Sequence, residues 1–378
     1  MPSRRSSQPL FNASGTARSL RASPLFAIGP AAPGPAIRRG FLLSVPIAIS
    51  LAFELGLDTA SAGAIATAAL VNGFPGMDAP ARPRAAWQAA AAPLIGVAAA
   101  LGILSAQTGP TAVLALGLVG ALAGYCFSVS LRLAILGLSV TLAMLIAQGL
   151  ILPAGDAGGA LLYGTLGALT QVAWSLIVWL VRDRAADEPE QAWSTPAALA
   201  ALRANLTLDS PSARHAIRFG AALAAGVAAY RLLGLREHGY WIPLTILFVM
   251  RPERDETNHR LILRALGTVL GLILATAIAE AFGGDDLVIG AVLVVAAALS
   301  FGLLAVQYAL FTAAITTYVV VISTVIGEPA FRTVDERAIG TVLGIAITAL
   351  AWWLWPNRGE GRRGGKAGEM APPTAAAR

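Results

Sequence analysis

The sequence predicts an all-α, polytopic helical membrane protein with about 12 transmembrane helices in two six-helix halves. Composition is the first reason. Of 378 residues, 56% are hydrophobic and 13% charged, with a mean hydropathy of +0.69, whereas soluble domains are about one quarter charged. Length is the second, because apolar stretches of roughly 17–25 residues recur, and a helix of that size crosses a bilayer core. Repetition is the third: RALGTVLG at 264–271 returns as RAIGTVLG at 337–344.

In chain order the spans of the first half, residues 37–181, fall near 37–56, 59–74, 86–105, 110–128, 131–152 and 160–181. Those of the second half, 214–356, fall near 214–235, 239–251, 263–282, 286–305, 308–327 and 335–355. The second and eighth are the least regular. The former contains Gly63 and Gly73 and stops at Pro75; the latter contains Pro243 and stops at Arg251 and Pro252. A connector at 182–213, with Asp183, Asp187, Glu188, Glu190 and three prolines, divides the halves, and its stretch 197–206 reads as a short surface helix. The ends, 1–36 and 357–378, read as disordered. Arg4 and Arg5 precede no apolar run of about 7–15 residues, so no cleaved secretion signal is expected, although a transit peptide has similar composition.

Arginines gather at segment ends. Simple alternation of helices puts Arg38, Arg39, Arg82, Arg84, Arg132, Arg182, Arg251, Arg254, Arg260 and Arg358 on one side, and Glu237, Asp285, Asp286, Glu328, Asp335 and Glu336 on the other. The positive-inside rule makes the arginine side cytoplasmic, so both termini are expected inside a bacterial inner (plasma) membrane. The basic balance is thus topological, and nucleic acid is not an expected partner. Cys126 is the single cysteine and His215, His238 and His259 lack ligand spacing, so neither a metal nor a cofactor is expected.

The halves look duplicated. AIRRG at 36–40 answers AIRFG at 216–220, LGL at 55–57 answers LGL at 233–235, and GTLGALTQVAWSLIVWL at 164–180 answers GTVLGIAITALAWWLW at 340–355. Inside the second half, the octapeptides lie 73 residues apart at equivalent points of two three-helix blocks. Three crossings per block insert the copies in opposite orientation, with Arg264 toward the cytoplasmic face and Arg337 toward the outer face. The first half has Ala89 and Leu161 in place of these arginines but keeps Gly96, Gly164 and Thr165.

Short or broken spans at matching places in both halves point to a substrate site. Tyr240 and Trp241 open the eighth segment beside His238, as interfacial anchors or as a platform for a ring. Gly267 and Gly271, like Gly340 and Gly344, lie four residues apart on one helix face and suit close helix packing. Thr268 and Thr341 sit beside the arginines, where a hydroxyl assists an anion. For Arg264 and Arg337 three readings stand open: snorkelling anchor, gating ion pair with Glu253, Asp255 or Glu256 and with Asp335 or Glu336, or counter-charge to a substrate. His238 is a candidate proton carrier.

No GxxxxGK[ST] loop, HExxH pair or GxSxG elbow occurs, and the GxGxxG at Gly359, Gly361 and Gly364 lies in a polar tail with no strand before it. No enzymatic activity is expected.

HGYWIPLTILFVMRPERDETNHRLILRALGTVLG at 238–271 and ERAIGTVLGIAITALAWWLWP at 336–356 resemble the fusaric acid resistance-like (FUSC) family of integral membrane transporters, which includes aromatic acid exporters. The resemblance is strongest over about 210–356 and weaker over 37–181. That family's exporters place a large soluble region between two membrane halves, where this chain has its short connector. The resemblance implies secondary efflux of organic anions, aromatic carboxylic acids among them, with Tyr240 and Trp241 receiving the ring and Arg264 or Arg337 offsetting the carboxylate. A gated organic-anion channel, similar to plant malate channels of the same broad family, and a non-transporting scaffold subunit are the alternatives. The implied partners are the lipid bilayer and a small organic anion; a homo-oligomer or a periplasmic adaptor stays open.

Overall fold

Helices alone build the described part of a computed structural model, which covers residues 32–52, 59–150, 152–183, 194–235, 239–282, 285–325 and 330–357. In chain order they are α1 (Pro33–Ala52), α2 (Thr59–Asn72), α3 (Ala81–Ala106), α4 (Gly109–Tyr125), α5 (Leu131–Gly149), α6 (Ala157–Val178), α7 (Thr195–Ala204), α8 (Pro211–Leu232), α9 (Trp241–Val249), α10 (Arg254–Phe282), α11 (Asp286–Leu303), α12 (Tyr308–Val325) and α13 (Ala330–Leu354). Local sequence sets several starts. The side chains of Thr108, Ser130, Ser194, Ser210 and Asp285 each accept a first-turn N–H, and Pro110, Pro196 and Pro211 occupy first-turn positions that need no donor.

The outer surface is apolar. Leu114, Leu118 and Leu122, one face of α4, are 72%, 64% and 60% exposed, where a soluble protein would carry charge. α1, α3, α4, α5, α6, α10, α11 and α13 are long and apolar enough to cross a membrane. Length and composition thus support eight of the twelve expected spans. α8 carries three arginines and a histidine, and α12 offers a shorter apolar stretch, Tyr308–Ile322. α2 has 14 residues and α9 only nine, so α9 rises about 13 Å, under half the hydrocarbon thickness. Polar ends also lengthen helices beyond their apolar cores: α10 begins at Arg254, nine residues before the expected span. The connector helix appears as α7, pinned beneath α4 by the Tyr125 hydroxyl, which donates to the Leu202 carbonyl.

Packing crosses between the ends of the chain. α1 lies on α11 and α4 lies on α8. A methyl group on Gly40 would strike the Ala298 carbonyl, and one on Gly302 would stand 2.8 Å from Ile37 Cα. At the other crossing, a methyl on Gly220 would come 2.5 Å from the Gly117 carbonyl, and one on Gly124 3.1 Å from Ala216 Cα. The glycines closing AIRRG and AIRFG therefore do the same work, seating the helix that carries each pentapeptide directly on the backbone of its partner. α2 and α9 occupy the interior, α2 packing on α6 and α9 on α13.

Candidate functional site

The site is built around α9, whose sequence WIPLTILFV carries no charge and is buried at every position but Phe248. Its C-terminus breaks at Met250, which is extended, and Pro252 precedes the next helix. A half-length helix is tolerated at depth because it is surrounded by protein: α8, α13, α10 and α5 all touch it.

Each Gly-Thr-x-x-Gly element fits one neighbour. On α13, a methyl at Gly340 would lie 2.9 Å from Trp241 Cβ and one at Gly344 2.6 Å from Thr245 Cβ. On α10, methyls at Gly267 and Gly271 would lie 2.6 Å and 2.7 Å from Cβ of Thr312 and Thr316. The four glycines thus let α13 close on α9 and α10 close on α12.

These seatings turn both arginines inward. Arg264 is 0% exposed and Arg337 1%. The Arg264 guanidinium carbon lies 5.3 Å from the Phe248 ring centroid, and that of Arg337 lies 5.1 Å from Trp241. Phe248 and Trp241 stand seven residues apart on α9, about 10 Å along its axis, so the arginines bracket this helix and remain within electrostatic reach of each other. None of their six guanidinium nitrogens has a hydrogen-bond partner among the described residues. The Tyr308 hydroxyl donates to the Phe248 carbonyl at 3.0 Å and turns its oxygen lone pairs toward the neighbourhood of Arg264, a neutral polar contact that supplies no counter-charge.

Two expectations for the arginines are corrected here. Arg264 forms no ion pair with Glu253, Asp255 or Glu256, because helix α10 carries it eight residues, about 12 Å, past Glu256. That carboxylate is held by Arg260 at 2.9 Å, with Arg251 at 3.9 Å. Snorkelling fails for both, since a snorkelling head reaches water and these do not. Arg337 is likewise without a hydrogen bond to Asp335 or Glu336.

On α10, and opposite Gly267 and Gly271 on α12, the hydroxyls of Thr268, Thr312 and Thr316 are buried with no hydrogen-bond partner among the described residues. Thr341 is buried too, but donates to the Arg337 carbonyl at 2.9 Å. Tyr240 meets the Trp241 ring edge-on at 5.6 Å and packs over Gly149. His238 lies outside the described residues.

A second cluster escaped sequence reasoning. Arg218 lies 3.4 Å over the Trp352 ring and donates to the Trp355 carbonyl at 2.9 Å, while Arg214 donates to the Pro356 carbonyl at 2.8 Å. Asn357 completes the tie by donating to the Pro252 carbonyl at 3.2 Å. Together they fasten the end of α13 to α8 and to the α9–α10 turn. His215 is fully buried between Phe127 and Phe219, and neither ring nitrogen has a hydrogen-bond partner among the described residues. The four-residue spacing of Arg214 and Arg218 on a helix was the available signal.

Residues 221–351 match the fusaric acid resistance protein-like family. Inner membrane protein YccS of Escherichia coli (strain K12) is 36% identical over 179 residues, 45% of this chain and 24% of that protein. The uncharacterized protein ORF2 of Neisseria gonorrhoeae is 30% identical over 161 residues, 42% of this chain and 37% of that protein. The uncharacterized protein YhfK of Escherichia coli (strain K12) is 29% identical over 163 residues, 42% and 23% of the two chains. The chain therefore spans well under half the length of these curated relatives, and no solved structure matches it. The matched segment holds α9, both buried arginines and both Gly-Thr-x-x-Gly seats, so the likeness to the fusaric acid resistance protein-like family lies in the part of the chain that builds this site.

Proposed function

We propose that this protein is a multi-pass transporter of the inner membrane that exports small organic anions, aromatic carboxylates among them. One observation carries the reading: Arg264 and Arg337 are buried at the two ends of a half-length helix, and among the described residues no counter-charge is hydrogen-bonded to either. A buried, unpaired charge is strongly unfavourable unless something compensates it, and a bound anion supplies that compensation. Phe248, the partly exposed ring beside Arg264, and the buried indole of Trp241 beside Arg337 make the surroundings of the guanidinium groups apolar and aromatic, which suits an aromatic substrate. The match of residues 221–351 to the fusaric acid resistance protein-like family and the likeness to an inner membrane protein support the location and the transport class. Two related six-helix halves, 37–181 and 214–356, joined by 182–213 with both termini cytoplasmic, form the architecture of this reading, and the reciprocal α1–α11 and α4–α8 contacts support it.

The test is flux of labelled benzoate from proteoliposomes with and without a pH gradient. Uphill movement is the expected result; downhill movement alone makes the protein a channel, and no movement by correctly folded protein leaves the scaffold. Arg264→Gln and Arg337→Gln are each expected to lower flux by about tenfold or more with little change in abundance. Parallel losses of flux and abundance would instead assign both arginines to folding.

A further inference from the structure

The charge on the transported species follows from the same site, and rests on the anion-transport reading above. Two guanidinium groups, 0% and 1% exposed, carry six nitrogens that have no hydrogen-bond partner among the described residues. They flank one continuous stretch of α9, from Trp241 to Phe248. The carboxylates in the adjoining turn are otherwise placed, Glu256 being held by Arg260 and approached by Arg251. Three further buried hydroxyls, of Thr268 on α10 and Thr312 and Thr316 on α12, have no hydrogen-bond partner among the described residues. A single monoanion compensates one guanidinium and leaves the other buried and uncompensated, which is the costly arrangement. A carboxylate at each end satisfies both, through paired N–H···O⁻ hydrogen bonds of the strong, charge-assisted kind.

We propose that the site takes one dianion, a small molecule with two separated carboxylates, Arg264 binding one and Arg337 the other, with the ring or chain between them lying along α9. Recognition then depends on charge count as well as apolar shape. Arg264 and Arg337 are the specificity-determining residues, and Thr268 is an added donor near the Arg264 end.

Terephthalate and benzoate share a ring and differ in the second carboxylate, so they isolate this feature. In proteoliposomes of the full chain, terephthalate is expected to compete against labelled benzoate at least about tenfold more effectively than unlabelled benzoate does, the scale of one lost charge-assisted contact. Arg264→Gln and Arg337→Gln should each bring that ratio to about one, because either variant leaves a single cationic end. A folding defect lowers uptake of both acids together and leaves their ratio at the wild-type value, so a ratio unmoved in both variants overturns the proposal. Benzoate flux with no terephthalate preference overturns it too but leaves anion transport standing; a Hill coefficient near two for benzoate then assigns two separate monoanion sites. Flux of neither acid overturns the transport reading and this inference with it.

Discussion

The sixth and last helices of the membrane region meet their neighbours in contrasting ways. In the first half, α6 lies on α2 and directly on α3: a methyl on Gly167 would come 2.9 Å from Ala68 Cβ, and one on Gly96 2.7 Å from the Leu161 carbonyl. In the second, Gly344 meets Ile242 and Thr245 of α9 much as Gly167 meets Ile65 and Ala68 of α2. That correspondence sets Trp241 where α2 has Ala64. The indole is fully buried and packs on Gly340, so α13 rests on a wedge where α6 reaches α3. α3 and α6 pack extensively, whereas α10 and α13 touch only lightly. The polar groups differ accordingly. At the α3–α6 seam Arg84 donates to Ser175, Ser175 to Gln88, and Asn72 to two carbonyls, leaving Gln88 Nε2 and Asn72 Oδ1 without partners among the described residues; beside α10 and α13 no guanidinium nitrogen of Arg264 or Arg337 has a hydrogen-bond partner among the described residues. One seam is closed helix on helix, and the other is spaced by a buried indole with two buried charges beside it.

Removing the wedge breaks the comparison most severely. Trp241→Ala is expected to lose about 3–5 kcal/mol, the range for truncating a buried aromatic residue, and to allow α13 to settle toward α10. Thermal unfolding in detergent measures the first effect, and crosslinking between cysteines placed on α10 and α13 measures the second. A small loss with no gain in crosslinking would show that another residue separates the helices.

The arginines supply the next test, because the two seams predict opposite signs. Arg84→Met discards a hydrogen bond from a charged group to Ser175 at 3.1 Å and should destabilise by about 1.5–3 kcal/mol. Arg264→Met discards an unpaired buried charge and should stabilise, in buffer without organic anion, by about 1–4 kcal/mol while ending transport. Stabilisation accompanied by inactivity is the signature of a residue kept for its ligand. If both variants lower the unfolding temperature equally, Arg264 has a structural partner and the contrast between seams disappears.

Much of this frame was legible beforehand. Composition and segment length predicted helices in a membrane, the glycines and prolines of segments two and eight marked the short interior helices, and the twin octapeptide marked the close contacts. The face that Arg264 presents was not legible. On α10, Leu266, Val269 and Ile273 are exposed while Leu263, Gly267 and Leu272 are buried. Lipid-facing and protein-facing stripes are both apolar, so hydrophobic periodicity cannot orient a membrane helix as it orients a soluble one. The choice of α12 as neighbour to α10, and of α9 as neighbour to α13, is tertiary. Neither follows from the octapeptides, which are nearly identical yet sit on different partners. Arg218 was overlooked because AIRFG served as a repeat marker, and Arg38 at the matching place in AIRRG is exposed.

The smallest expected effect concerns Asn72, whose amide donates to the Gln88 and Ala168 carbonyls at 3.2 Å and 2.7 Å and so ties α2 to α3 and α6. Both acceptors lie inside helices and keep their helical hydrogen bonds when the amide is removed, so Asn72→Ala should cost only about 1–2 kcal/mol. The α3–α6 seam makes no substantial contact with α10 or α13, which carry Arg264 and Arg337, so flux per folded molecule should be unchanged. Unfolding temperature and flux, measured on the same preparation, separate the two quantities. A variant of normal stability but altered flux would place α2 in the transport path and extend the site into the first half.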